Sequence, residues 1–300
     1  MLTVAAGHAC VFILTALGAL PPKTTLKFLS PFLFLYPRLR PAHSARLRAC
    51  FAASPFRGHL DPARYYAMRL RLLLSGLRAH VRRTASAGSA QGANPEPEGW
   101  ETYLSALASD RPIALIGLHA GPWEELHRVP PAREGRPFLI LTAPAFSPPL
   151  TAFMAQGRES GGKNIIWIGS DGKRGLAAGI RAVQTGRGIL ALMADQHPDP
   201  GEEEWLSLWD RILVPYPARL LGSLAAHDFL FMPVSIRISA EGTPLYRFHT
   251  PWDSRDIAGE NADIGSVALA AKVRDFLETA IAVAPDQWNW SYPKIRPALS

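Results

Sequence analysis

Cysteine is nearly absent from this chain: Cys10 and Cys50 are the only two in 300 residues. Two cysteines build neither a disulfide framework nor a thiolate zinc site, and a reducing, cytosol-facing compartment is their simplest setting. Charge is missing altogether from residues 1–20, MLTVAAGHACVFILTALGAL. Twenty residues make about 30 Å of helix, enough to cross a hydrocarbon core. Gly7, His8 and Gly18 weaken that span. The missing basic n-region argues against a cleaved signal peptide. A second apolar patch, residues 28–36, is too short to span and is broken by Pro31, so it suits a membrane interface. Core helices of a soluble protein are the alternative reading of both patches. No internal repeat is evident.

Acidic residues are scarce where basic ones are dense. Residues 23–83 hold thirteen Lys and Arg and one acid, Asp61. The whole chain carries +7, so the remainder is net acidic and the basicity is local to the stretch after the apolar segment. A positive juxtamembrane region stays cytoplasmic and attracts anionic headgroups. Within 63–83, Tyr66, Leu70, Leu73, Leu77 and Val81 keep helical spacing, while Arg64, Arg71, Arg78 and Arg82 fall on another face. This is a basic amphipathic helix, suited to a membrane surface or to core packing with a solvated face. Nucleic acid is the rival partner for such a patch, but no recognition motif accompanies it, so no nucleic acid is expected.

Residues 84–99, TASAGSAQGANPEPEG, are small, polar and rich in Gly and Pro, and read as a linker. The chain thus divides into an apolar membrane anchor (1–22), a basic helical region with linker (23–99) and a core (100–300). In the core, strand-like runs at 112–118, 137–142, 164–168, 188–193, 229–238 and 245–250 alternate with helical patterns at 101–109, 122–128, 148–157, 172–185, 218–226 and 263–283. That rhythm predicts an α/β fold, a mainly parallel or mixed sheet flanked by helices. The last two strands, joined through Ala240-Glu241-Gly242-Thr243, read as an antiparallel hairpin.

The stretch richest in chemistry is PIALIGLHAGPWEELHR, residues 112–128. A short apolar run ends at His119, and Pro122 suits the first turn of a following helix. In open α/β sheets ligands bind at that edge. A turn between His119 and Glu124 would let the imidazole fold over the carboxylate, which fixes its tautomer and supports the imidazolium. No Ser or Cys nucleophile sits in the turn, so the chemistry on offer is a general base acting on a substrate hydroxyl or amine. An ordinary turn with a surface His and Glu has the same spacing.

His119-x-x-x-x-Glu124 after a hydrophobic strand resembles the catalytic motif of the lysophospholipid acyltransferase superfamily, in its bacterial late lipid A (lauroyl and myristoyl) branch. Ala194-Asp195-Gln196 resembles that branch's "(P/A)DQ", and PDQWNW, residues 285–290, its "PEQYxW". The three blocks stand in family order and at family-like separations, and the resemblance covers most of the chain. It implies a glycerolipid acyltransferase-like fold at the cytoplasmic face of a bacterial inner membrane. It also implies a thioester donor on acyl carrier protein or coenzyme A, a lipid acceptor, and no cofactor.

The same resemblance puts an Arg near position 158. Arg158 would bind a phosphate or the oxyanion of an attacked thioester, although Lys163, Lys173 and Arg174 are close and a surface salt bridge is as good a reading. Asp195 and Gln196 end the strand at 188–193, on the same sheet edge as His119, where Asp195 would pair with an active-site Arg or bind the acceptor. His197 follows them. The acidic run of Asp199 and Glu202–Glu204 reads as a solvated loop. Glu124-x-x-His127 has the spacing of a metal half-site but lacks a second half, so no metal is expected. The apolar stretch from Trp205 to Val214 would line an acyl-chain groove or pack in the core.

Ser291-Tyr292-Pro293-Lys294-Ile295 departs from the late lipid A pattern, where a His and a pair of Arg follow the aromatic signature. The lower basic count leaves the acceptor open among lipid A, another glycolipid, a lysophospholipid, an amino-acid lipid or a polyene-type acceptor. The expectation is a membrane-associated acyltransferase with His119 as base and Glu124 as its orienter. A catalytically degenerate lipid-binding or assembly relative and a His/Glu lipid hydrolase stand as alternatives.

Overall fold

The computed structural model describes the chain except residues 1, 21–23, 26, 28, 30, 32–37, 86–95, 129–135, 143–146, 160–163, 168–171, 197–203, 259–261 and 299–300. Most of the apolar patch at 28–36 and of the linker at 84–99 lies outside the described residues.

The main sheet is built from β1 (Ile113–Gly117), β2 (Phe138–Thr142), β3 (Asn164–Trp167), β4 (Ile189–Met193), β7 (Leu230–Ile238), β8 (Pro244–Phe248) and β9 (Trp252–Asp253). Its order is β3-β2-β4-β1-β7-β8, with β9 also pairing with β7. The first five strands of that path run parallel, and β8 and β9 are antiparallel to β7. The fold is therefore α/β with a mixed, mostly parallel sheet, and the hairpin over 240–243 is where the sequence puts it.

β1 reads as a continuous apolar run because both faces are covered. Ala114 and Ile116 join one hydrophobic cluster, while Ile113 and Leu115 join another on the opposite face. Five helices of the core flank these layers: α4 (Trp100–Ala108), α5 (Pro148–Glu159), α6 (Gly172–Thr185), α7 (Ala218–Ala226) and α9 (Ala262–Val283). A short α8 (Ser254–Ala258) precedes the last.

One element differs from the sequence expectation, and one was not assigned there. Residues 122–128 form a 3-10 turn, Trp123–Arg128, rather than an α-helix. Glu125 N–H bonds the Pro122 carbonyl at 2.8 Å, an i to i+3 closure that a tight exit from β1 imposes. The apolar stretch from Trp205 is a β-hairpin, β5 (Glu204–Leu208) and β6 (Ile212–Tyr216), extended by β10 (Arg296–Pro297) into a three-stranded sheet. Trp209 and Asp210 make its turn at φ of 49° and 55°, without the Gly or Asn that marks such turns in a sequence.

The basic region shares the core. Leu47, Cys50 and Phe51 of α2 (Pro41–Ala53) and Tyr65 and Tyr66 of α3 (Pro62–Ala85) belong to the same cluster as Trp288 and Trp290. Arg46 ties α2 to the C-terminal segment, donating to the Ser291, Tyr292 and Ile295 carbonyls at 2.9, 2.7 and 2.9 Å. The apolar N-terminus forms α1 (Leu2–Ala19), packed on α3 and α5. Among the described residues no helix is long and apolar enough to cross a membrane.

Candidate active site

Register places the site. β1 and β4 run parallel with Gly117 beside Met193, and Ala194 N–H continues the ladder to the Gly117 carbonyl at 2.9 Å. Two residues past each strand stand His119 and Asp195. Asp195 Oδ1 lies 2.7 Å from His119 Nδ1, and Oδ2 accepts the His119 backbone N–H at 2.9 Å. Trp288 Nε1–H donates to the same Oδ2 at 2.8 Å.

The Asp195 side chain is 1% exposed and that of His119 18%. Burial by itself would raise the Asp195 carboxyl. The charge of His119 and the hydrogen bonds from His119 and Trp288 oppose that, and the carboxyl falls below its ordinary value. An ionised carboxylate only accepts, so Nδ1 carries the imidazole proton and Nε2 keeps its lone pair.

The segment at 285–290 clasps the His119 turn. Asn289 N–H bonds the His119 carbonyl at 2.8 Å, and Gly121 N–H bonds the Gln287 carbonyl at 3.1 Å. The Gln287 amide pairs both ways with the Ile238 backbone at the end of β7, at 2.9 and 3.0 Å. Gly121 sits at φ +57°, and a Cβ there would overlap the Ile236 carbonyl oxygen. Only glycine fits that close approach in a left-handed conformation. The three sequence blocks around His119, Asp195 and Trp288 thus meet at one sheet edge.

No family model and no curated protein matches the chain.

The carboxylate at His119 Nδ1 is that of Asp195. Glu124 is half-buried in the 3-10 turn. Asp195, read in the sequence as a partner for an Arg or the acceptor, has its oxygens against His119 and Trp288. Gln196 follows it, half-buried. Arg158 lies in α5, but its side chain and those of Lys163, Lys173, Arg174 and His127 lie outside the described residues, as do His197, Asp199, Glu202 and Glu203. Among the described residues no group of three His, Cys, Asp or Glu is arranged to hold a metal. Burial pushes the Cys50 thiol up to about 11, which leaves no thiolate for chemistry there.

Two residues near His119 were not singled out from the sequence. The Trp123 ring stands edge-on to the His119 imidazole at 5.3 Å between centroids. The Arg69 guanidinium lies 5.0 Å over the same indole. A cleft of about 840 Å³ opens at the opposite edge of the sheet, where Arg111 is already paired with Asp228 and Asp253.

Proposed function

We propose that this protein is a membrane-associated acyltransferase that moves a fatty acyl chain from a thioester to a hydroxyl or amine of a lipid acceptor. The observation that carries the reading is the buried His119–Asp195 pair at the C-terminal edge of a mostly parallel sheet. Nε2 of His119 takes the proton from the acceptor as its oxygen or nitrogen attacks the thioester carbonyl. The tetrahedral adduct collapses with formation of the ester or amide bond and cleavage of the C–S bond. The imidazolium then returns the proton to the departing thiolate. Asp195 holds the imidazole in the tautomer this requires and balances its positive charge. Glu124 and Gln196, at the same edge, are the polar groups proposed to meet the acceptor, with Arg158 as a further anion contact.

Direct transfer fits a site whose described residues offer a base without a paired nucleophile. Placing both substrates at one surface supplies much of the rate. Association with lipid is supported by the exposed apolar side chains of Phe12, Ile13 and Leu20 in the apolar N-terminal segment and of Leu39 and Leu73 in the basic region that follows. Acyl carrier protein or coenzyme A would supply the thioester, with a glycolipid or lysophospholipid as acceptor on the cytoplasmic face of a bacterial inner membrane.

The test is an assay with labelled thioesters in membrane extract, resolving lipids by mass. A lipid one acyl chain heavier, present with wild type and absent with His119→Ala, is expected. Free fatty acid without an acylated lipid would replace transfer by hydrolysis. No turnover with either donor would leave a lipid-binding relative.

A further inference from the structure

Arg69 is a half-buried cation with no carboxylate among the described residues paired to it. It lies on the same face of α3 as Tyr65, one helical turn away. Its Nη1 is buried and has no hydrogen-bond partner among the described residues. The other α3 arginines with described side chains are all engaged: Arg64 with Asp61, Arg71 with the Ala240 carbonyl, and Arg78 with the Leu20 carbonyl and Thr25. The nearby Tyr65 hydroxyl is already taken by the Ser291 hydroxyl and backbone N–H, at 2.8 and 2.9 Å.

The energetics do not favour a purely structural role. Contact with the Trp123 face is a weak attraction for a cation still open to water. Taking a guanidinium nitrogen out of water is unfavourable unless it is paired and hydrogen-bonded, and Nη1 is neither among the described residues. A Met or Leu would fill the same space without that cost. Burial holds the Arg69 guanidinium below its ordinary value, the direction expected for a cation lacking a counter-ion. What the position does offer is a planar fork of donors one indole ring from His119.

We infer that Arg69 is a substrate-positioning residue that holds a phosphate ester of a substrate beside His119. A guanidinium binds phosphate oxygens in pairs, and the strongly basic stretch around it favours a phosphate over a singly charged carboxylate. The inference deepens the acyl-transfer reading, on which it relies only for the phosphate's carrier. Both a phospholipid acceptor and the phosphopantetheine arm of the donor bear such a group.

The experiment is a calorimetric titration of the full-length protein with inorganic phosphate, acetate, 4′-phosphopantetheine and a short-chain lysophospholipid. Wild type is compared with Arg69→Met, Arg69→Lys and His119→Ala. Wild type and His119→Ala are expected to bind phosphate more tightly than acetate. Arg69→Met should lose at least tenfold in phosphate affinity, with Arg69→Lys in between. The thermal midpoint of Arg69→Met should match or exceed that of wild type, an outcome a structural arginine would not give. The carrier follows from which of the two larger probes loses affinity in Arg69→Met. Equal phosphate affinity in wild type and Arg69→Met would overturn the inference, and so would tighter acetate binding or an Arg69→Met protein that does not fold. Phosphate binding that depends on Arg69, without lipid acylation by wild type, would instead refute the acyl-transfer reading and leave the anion site standing.

Discussion

Asp195→Asn separates the catalytic reading of the His119 edge from a structural one. The three donors around Asp195 are unequally divided: His119 N–H and Trp288 Nε1–H share Oδ2, while Nδ1 alone meets Oδ1. An asparagine can put its oxygen at the Oδ2 position and keep two of the three bonds. Its NH2 then faces Nδ1. Two donors cannot share one hydrogen bond, so the imidazole shifts its proton to Nε2 and Nδ1 becomes an acceptor. The turn stays closed while the base loses its free lone pair. A general base is worth about 10²–10⁴-fold, so the acyl-transfer kcat should drop by that factor, about 3–5 kcal/mol of barrier. Stability should fall by only about 1.5–3 kcal/mol, the worth of a charge-assisted hydrogen bond. Asp195→Ala is the poorer probe, because it strands three buried donors and threatens the fold. Kinetics with the labelled thioester, a denaturant melt and nitrogen NMR of the His119 tautomer complete the test. An Asp195→Asn enzyme that retains kcat within threefold while its imidazole carries the proton on Nε2 would refute the assignment of His119 as base.

Gly121→Ala should destabilise the protein by about 2–4 kcal/mol, because the left-handed backbone and the overlap with the Ile236 carbonyl both oppose a Cβ; urea melts would show it, and a neutral result would contradict the tight turn. Arg46→Met removes three bonds to C-terminal carbonyls and should lower stability by about 3 kcal/mol, with amide exchange rising first around residues 291–295. His249 is pushed down to about 4, chiefly by burial, with the Arg247 charge adding and Glu98 opposing. The unfolded chain therefore binds the proton more readily, and stability is full above about pH 6.5 and falls as the pH drops towards 4. Allowing for partial exposure, the loss is about 2 kcal/mol, read as a pH slope in the urea midpoint that His249→Gln should flatten.

The layered sheet was legible because its strands are apolar on both faces and its helices carry period, as in α6. The edge that bears His119 followed from strand direction alone. The identity of its partner did not, since Glu124 is close in sequence and Asp195 is 76 residues away. One signal did exist: His119 and Asp195 each stand two residues beyond strands that the order of a parallel sheet can make neighbours. The hairpin of β5 and β6 escaped because its turn is Trp209-Asp210, residues that do not advertise positive φ. Leu206 and Leu208 nevertheless alternate with Trp205 and Ser207 as a half-buried strand should. Arg69 looked like one basic residue among thirteen. Only the path of α3 past Trp123 sets it apart.

The bond from Trp288 to Asp195 also sets an order in time. Synthesis delivers His119 and Asp195 to the folding chain well before Trp288, which follows Asp195 by 93 residues. Until the segment at 285–290 emerges, the His119 turn has no backbone clasp and the carboxylate lacks its indole donor. A nascent chain already bearing the apolar and basic N-terminal region could settle at its surface while its base is still unassembled. The segment at 285–290 then works as a latch: the His119 edge closes only once that segment has emerged. Ribosome-bound chains halted before residue 285 should hold thioester intact, and those released beyond residue 297 should turn it over.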